Sequence, residues 1–218
     1  MIAGPIAGFV LLASDAKTTQ DIALATLVCL PATAMHLTMF AWSVLRWRWP
    51  LALLMANVAF FALGLTLPAL SLVPWQTFLL VLAFLALGHR IMPSMQWRAT
   101  AAHIPNLELI LRVSVAVLLA WVIIETAGAV PAAISGLLLA VPITGNVLPC
   151  FTLPRHGPEA TVVLLRGFLR GQVGFAAFFA ALFWGLDHWS PALAYSAAWA
   201  VALVVASGLY AWQARLQR

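Results

Sequence analysis

The sequence predicts an all-α protein, a polytopic bundle of about eight helices that cross a lipid bilayer. Three observations indicate this class: 64% of the 218 residues are hydrophobic, only 8% are charged, and apolar runs of membrane-spanning length recur along the chain. A soluble globular domain is about 45–50% apolar and about 25% charged. The alternating pattern of a membrane β-barrel is absent, so helices are the predicted spanning elements.

The apolar runs define eight candidate spans, bounded by polar or aromatic residues. In order they cover residues 2–14, 21–45, 50–72, 74–89, 107–126, 130–152, 160–185 and 190–213. The first is short and carries Pro5, so seven spans are predicted if it does not cross. Tryptophans near the proposed ends agree with the boundaries, because an indole ring favours the membrane–water interface. The connection 91–106 divides the chain into an N-terminal half, 1–90, and a C-terminal half, 107–218.

Basic residues are distributed unequally between the two sides of the predicted bundle. With eight spans, the side without arginine carries only Lys17, and the other side carries Arg46, Arg48, Arg90, Arg98, Arg155, Arg215 and Arg218. Cytoplasmic loops of membrane proteins are enriched in lysine and arginine, so both termini are predicted to be cytoplasmic. The basic residues form no stripe of the kind that binds nucleic acid, and no nucleic-acid partner is predicted.

A short internal similarity relates the two halves. The segment 4–11, GPIAGFVL, matches 141–148, VPITGNVL, at five of eight positions. A duplication with this offset relates the first three spans to the last three and reverses their orientation, as in inverted-repeat transporters. Chance similarity between apolar segments of low diversity is the alternative, and the sequence leaves both interpretations open.

Two arginines lie within the apolar seventh span. Arg166 and Arg170 are four residues apart, so they share one helix face. An arginine near the bilayer centre costs at least about 2.5–3.5 kcal/mol. Arg166 is predicted to reach the headgroups by snorkelling. Arg170 lies deeper, and because no acidic residue lies deep in any span, its expected partners are backbone carbonyls, water or an anionic ligand.

Proline and glycine interrupt the sixth span. Pro142 and Pro149 flank Gly145, and Asn146 adds a polar side chain. Discontinuous helices of this kind form midplane sites in transporters, because helix ends and unwound backbone are exposed there. A kinked helix whose freed groups are satisfied by its neighbours is the alternative. The predicted substrate-binding residues are Arg170, Arg166, Asn146, Gly145 and Pro142.

A glycine surface lies beside the arginines. Gly167 and Gly171 form a GxxxG pair, which lets another transmembrane helix approach closely, and Gly174 extends the surface. These three glycines are predicted to pack against a helix. That helix belongs to this bundle, to a second copy or to a partner membrane protein.

The remaining polar residues of the spans form no catalytic set. His36, central in the second span, is expected to be a hydrogen-bonded interior residue, and Asn57 and Glu125 are minor polar candidates. No nucleophile–base pair and no metal-ligand spacing is present in the sequence. We therefore predict no enzyme activity, no metal and no cofactor.

The stretch AISGLLLAVPITGNVLPCFTLPRHGPEATVVLLRGFLRG resembles the GlpM-type small inner-membrane proteins of bacteria. The resemblance covers roughly residues 107–213 and rests on Gly136, Pro142, Gly157 and Glu159. In that family a four-span chain carries a span with glycine and proline, a short polar loop, an acidic residue and a further span. The N-terminal half lacks an equivalent of the family's first span. The resemblance implies a location in the bacterial inner membrane.

These observations predict a small transporter or permease for a solute with an anionic group. Its site is expected between the broken sixth span and the arginine face of the seventh. The alternative function is a non-transporting scaffold or accessory subunit, in which the glycine surface binds a partner helix.

Overall fold

The structure, a computed structural model, describes residues 8, 15–95, 106–126 and 130–216 and contains only helices, turns and short connections over these residues. In chain order the helices are α1 (Ala16–Ser43), α2 (Trp49–Thr66, continued by a 3-10 turn over Leu67–Leu70), α3 (Pro74–Ile91), α4 (Asn106–Thr126), α5 (Ala132–Ala140), α6 (Ile143–His188) and α7 (Pro191–Leu216). The predicted all-α class is confirmed.

Several of these helices suit a lipid bilayer. Five helical segments of the described residues are long and apolar enough to cross a membrane, and they are Ala16–Ser43, Trp49–Leu70, Pro74–Ile91, Ala132–His188 and Pro191–Trp212. The segment Ala132–His188 contains both the predicted sixth and the predicted seventh span. The predicted first span, 2–14, and the repeat segment 4–11 lie outside the described residues apart from Gly8. The count of eight spans is therefore not confirmed.

Helix α1 is the centre of the bundle. It packs against α2, α3, α5 and α6. In its most apolar window 78% of the residues are buried, against 28% or less in the corresponding windows of α2, α3 and α7. At its start the Asp15 carboxylate accepts a hydrogen bond of 3.1 Å from the Thr18 amide, which caps the helix. Hydrogen bonding by the Thr18 side chain, and then by its amide, lowers the pKa of the Asp15 carboxyl.

Two long-range hydrogen bonds identify the helix ends that lie together. The Trp42 indole donates to the Ile91 carbonyl at 2.9 Å, so α1 and α3 end on the same side of the bundle. The Gln20 side chain donates to the Phe183 carbonyl at 3.0 Å, so α6 ends where α1 begins. We call the first of these sides the basic end, because Arg46, Arg48 and Arg90 lie there.

The helical conformation is interrupted between α5 and α6, where the sequence predicted an interruption. Pro142 has φ −79° and ψ 65°, and the Ile143 amide donates to the Val141 carbonyl at 2.8 Å. These values define an inverse γ-turn centred on Pro142. The carbonyl of Ala140, at the end of α5, accepts a hydrogen bond of 2.7 Å from the Thr33 hydroxyl of α1. The break is thus a defined turn, and α1 satisfies a polar group at the end of α5.

A second break divides α6 into two arms, 143–156 and 158–188. Gly157 has φ 81° and ψ −179°, a conformation that is essentially restricted to glycine. Pro158 follows directly and disfavours a helical conformation for the residue before it. The arm 143–156 is therefore bounded by a non-helical residue at each end. Pro149, within this arm, does not interrupt the helix.

Small residues set the closest helix contacts. A Cβ placed on Gly136 of α5 would lie 2.5 Å from the carbonyl carbon of Ala25 and 2.6 Å from the amide nitrogen of Thr26. The backbones of α5 and α1 therefore touch at Gly136. Between α6 and α7 the contact follows a row of buried alanines, Ala194, Ala198 and Ala202. Close contact through small residues is how helices associate in lipid, where apolar burial alone provides little driving force.

Candidate functional site

The first candidate site is a pair of arginines with a neighbouring histidine near the basic end. Arg166 and Arg170 lie on the second arm of α6, and both are partly buried. His89, in the last turn of α3, lies within electrostatic range of both guanidinium groups. We call His89, Arg166 and Arg170 the arginine cluster. The sequence did not single out His89, because its proximity to α6 depends on how α3 packs.

Arg166 makes only weak hydrogen bonds with the described part of the chain. One of its terminal nitrogens, Nη1, donates to the Pro93 carbonyl at 3.4 Å, while its Nε is buried and makes no hydrogen bond within the described residues. Among the side chains that the structure describes, the ion pair found joins Lys17 and Asp21, at the end of the bundle opposite Arg166. The guanidinium thus retains hydrogen-bonding capacity for an external anion.

The second candidate site lies beside the break between α5 and α6. The side-chain amides of Asn57 on α2 and Asn146 on α6 donate to each other's oxygens, at 3.1 and 3.3 Å. Asn57 also donates to the carbonyl of Leu53 at 2.9 Å, so both of its amide hydrogens are used. Asn146 follows the break, where its own backbone amide bonds the carbonyl of Pro142 at 2.8 Å. Sequence reasoning named both asparagines but could not pair them across 89 residues.

His36 of α1 lies between these two helices. Its side chain is 0% exposed and meets the rings of Phe40 and Phe60 edge to face, at centroid distances of 6.0 and 6.4 Å. The backbones of Ala56 and Gly145 approach the imidazole. Neither ring nitrogen makes a hydrogen bond of acceptable geometry within the described residues. The predicted burial of this histidine is confirmed, and its predicted hydrogen bonding stays a prediction, because the nearest backbone groups, at Ala56 and Gly145, approach the ring without good hydrogen-bond geometry.

Pro149 leaves one backbone carbonyl beside His36 without its usual helical hydrogen bond. A helical carbonyl normally accepts a hydrogen bond from the amide four residues later, and proline has no amide hydrogen. The carbonyl of Gly145 therefore lacks its helical donor. We call His36, Asn57 and Asn146, with the adjoining first turn of α6, the asparagine–histidine cluster.

Helix α1 separates the two clusters. His36 and Thr38 are two residues apart, about 200° around a helix, so they face opposite sides. Thr38 faces the arginine cluster, because a Cβ placed on Gly88 would lie 3.1 Å from the Thr38 hydroxyl and 3.2 Å from Leu169, the residue before Arg170. Counted from the end of α1, Thr38 lies about 8 Å and His36 about 10 Å from the basic end.

The five predicted substrate-binding residues are thus not brought together as one site. Pro142, Gly145 and Asn146 lie on one side of α1, and Arg166 and Arg170 lie on the other. The physical reason is the position of α1, which occupies the centre of the bundle. A helix that is apolar on all sides gives no sequence signal for such a central position.

The three glycines that were predicted to pack against a helix also have different surroundings. Gly174 meets α7, where a Cβ would lie 3.5 Å from the carbonyl oxygen of Ala202 and the Cβ of Ala206. Gly167 and Gly171 are exposed, and a Cβ on either would meet open space within the described residues. Only Gly174 therefore packs against another helix of the described bundle.

The fold and its two polar clusters define a class, an all-helical protein with several helices able to span a membrane. No known family model, curated protein or solved structure matches the chain. The resemblance to the GlpM-type proteins stays a prediction.

Proposed function

We propose that the chain is a small transporter of a bacterial inner membrane and that its solute carries an anionic group. One observation carries this proposal: Arg166 is partly buried, and among the described residues its Nε has no hydrogen-bond partner and its Nη1 donates one long hydrogen bond to a carbonyl. A cation in this state is costly unless something compensates it. An oxyanion is well suited, because the planar guanidinium binds it with two parallel hydrogen bonds.

The neighbouring charges strengthen the preference for anions. Arg170, a second permanent cation, lies one helical turn from Arg166. Clustered charges of one sign beside a low-dielectric wall raise the local concentration of the opposite ion. The basic end is proposed to be cytoplasmic, because Arg46, Arg48 and Arg90 lie there. The arginine cluster then receives anions at the inner leaflet.

Anion uptake into liposomes tests this proposal. We expect the purified protein to carry at least one of chloride, nitrate, acetate or phosphate. The double variant Arg166→Gln with Arg170→Gln should lose at least about tenfold of that flux, because hydrogen bonds to charged groups contribute about 1.5–3 kcal/mol. Arg46→Gln is the matched control, since Arg46 is an exposed arginine at the same end, 5.4 Å above the Trp42 ring. Its flux should equal that of the wild type.

A second function is favoured by a different observation. Gly167 and Gly171 expose a flat helix surface that no described part of the bundle covers, and such a surface fits a partner helix. Absence of flux for the whole anion panel, together with a partner that is lost on Gly171→Leu, would replace transport with the accessory function.

A further inference from the structure

The start of α6 is a helix N-terminus that the protein leaves uncapped inside the bundle. Pro142 is its N-cap residue and provides no side-chain hydrogen bond. The first amides of a helix have no intrahelical acceptor, and they form the positive end of the helix dipole. By contrast, the Thr33 hydroxyl satisfies the carbonyl of Ala140 at the end of α5. The carbonyl end of α5 thus has a hydrogen-bond partner, whereas the amide end of α6 remains available to a ligand.

His36 provides an independent sign that a ligand belongs at this place. A neutral imidazole has one donor and one acceptor, and leaving a buried polar group unpaired is costly because the group loses its hydration. Folded proteins rarely retain such groups, and a ligand is one reason for the exceptions. His36 borders the uncapped turn, because a Cβ placed on Gly145 would lie 3.8 Å from the His36 ring.

The hydrogen-bonding groups around the turn include several donors, beside the Gly145 carbonyl, an acceptor that lacks its helical donor and approaches the His36 ring. Asn146 uses one of its amide hydrogens for Asn57 and retains the second. The backbone amides of Thr144 and Gly145 belong to the first turn of α6, and the imidazole adds its own N–H. No acidic residue occurs in α2, in α5 or in the arm 143–156. A donor-rich site without carboxylates at a helix N-terminus is suited to an oxyanion.

We propose that His36, Asn146 and the first turn of α6 form a binding site for the carboxylate or other oxyanion group of a small solute. The choice of an anion rests on the proposed function as well as on this donor set. The site is closed in the structure, because Leu37 and Pro142 pack against Gly145. It opens when the arm 143–156 moves, since this arm lies between the γ-turn at Pro142 and the bend at Gly157.

Nuclear magnetic resonance of the purified full-length protein, labelled with ¹⁵N in its histidines, tests the site directly. The His36 resonances are assigned by their loss in His36→Gln, and formate, acetate and phosphate are the probes. We expect at least one probe to shift the His36 resonances saturably and to raise the thermal unfolding midpoint. His36→Phe should weaken that probe's stabilising effect, measured as an apparent Kd, at least about tenfold. Thr38→Val, on the opposite face of α1, should leave it unchanged.

Stability separates a ligand-binding role from a structural one. His36→Phe removes the unpaired groups and keeps an aromatic ring, so its unfolding midpoint without anion should equal or exceed that of the wild type. His36→Gln keeps a donor and an acceptor, so it should retain most of the affinity and provides a second test if the phenylalanine variant does not fold.

The other possible results distinguish failure of this binding site from failure of the proposed transport. The site is refuted if none of the probes shifts the His36 resonances, or if His36→Phe binds them as the wild type does. Flux that falls in the double arginine variant but persists in His36→Phe leaves the proposed transport intact and rejects this site. Saturable shifts of His36 in a protein without flux support the site and contradict transport.

Discussion

Replacing Gly136 with alanine is expected to lower the free energy of unfolding by about 3 kcal/mol, the upper part of the range for overpacked cores. The added methyl group would lie 2.5 Å from the carbonyl carbon of Ala25 and 2.6 Å from the Thr26 amide nitrogen. Both are backbone atoms of α1, the most buried helix, and cannot rotate away as a side chain does. Helix α5 would have to move away from α1, and Gly136→Leu should prevent the native packing altogether.

The matched control is the same substitution at Gly171. Its Cβ would meet open space within the described residues, and alanine favours a helix over glycine by about 0.8–1 kcal/mol. Gly171→Ala should therefore leave the thermal unfolding midpoint in detergent unchanged or slightly raised, whereas Gly136→Ala should lower it clearly. Equal midpoints for the two variants would contradict the close contact between α5 and α1.

Truncating Phe178 to alanine should produce the second large loss of stability. Phe178 is 0% exposed and meets three other rings edge to face, those of Phe179, Tyr195 and Trp199, at centroid distances of 5.1, 5.9 and 5.3 Å. In soluble cores Phe→Ala costs about 3–5 kcal/mol. In lipid or detergent the transfer of apolar surface contributes less, so we expect a loss of about 3 kcal/mol, mainly from lost packing.

Phe61 provides the control for this prediction, because it is 46% exposed on the outer face of α2. Phe61→Ala should change the unfolding midpoint only slightly. Since Phe178 joins α6 to α7, proteolysis of Phe178→Ala should release α7 before the rest of the bundle. Simultaneous loss of all helices would show that α7 is not a separately docked element.

The sequence predicted well where several helices begin and end, but it did not predict which helices pack against each other. The observed bounds of α3, Pro74–Ile91, and of α4, Asn106–Thr126, lie within two residues of the predicted spans. The break at Pro142 was also predicted, because proline and glycine act locally on the backbone. Such local signals survive in any tertiary context.

The arrangement around α1 could not be predicted in this way. Partner choice in an apolar helix depends on small residues and side-chain shape, and Gly136 gives no sequence indication that its partner is Ala25. The pairing of Asn57 with Asn146 could not be predicted for the same reason, since each is a single polar residue in an apolar run. That the His36 ring nitrogens make no hydrogen bond of good geometry within the described residues follows only from the completed packing.

The separation of the two clusters by α1 is the central structural claim, and cysteine cross-linking tests it most directly. In a background with Cys29 and Cys150 replaced by alanine, two pairs are compared, Asn57→Cys with Asn146→Cys and Asn146→Cys with Arg170→Cys. A short thiol cross-linker should join the first pair, whose side chains are hydrogen-bonded at 3.1 Å, and should not join the second. Efficient cross-linking of the second pair without the first would show that the break and the arginines share one face, contradicting the position of α1 between them.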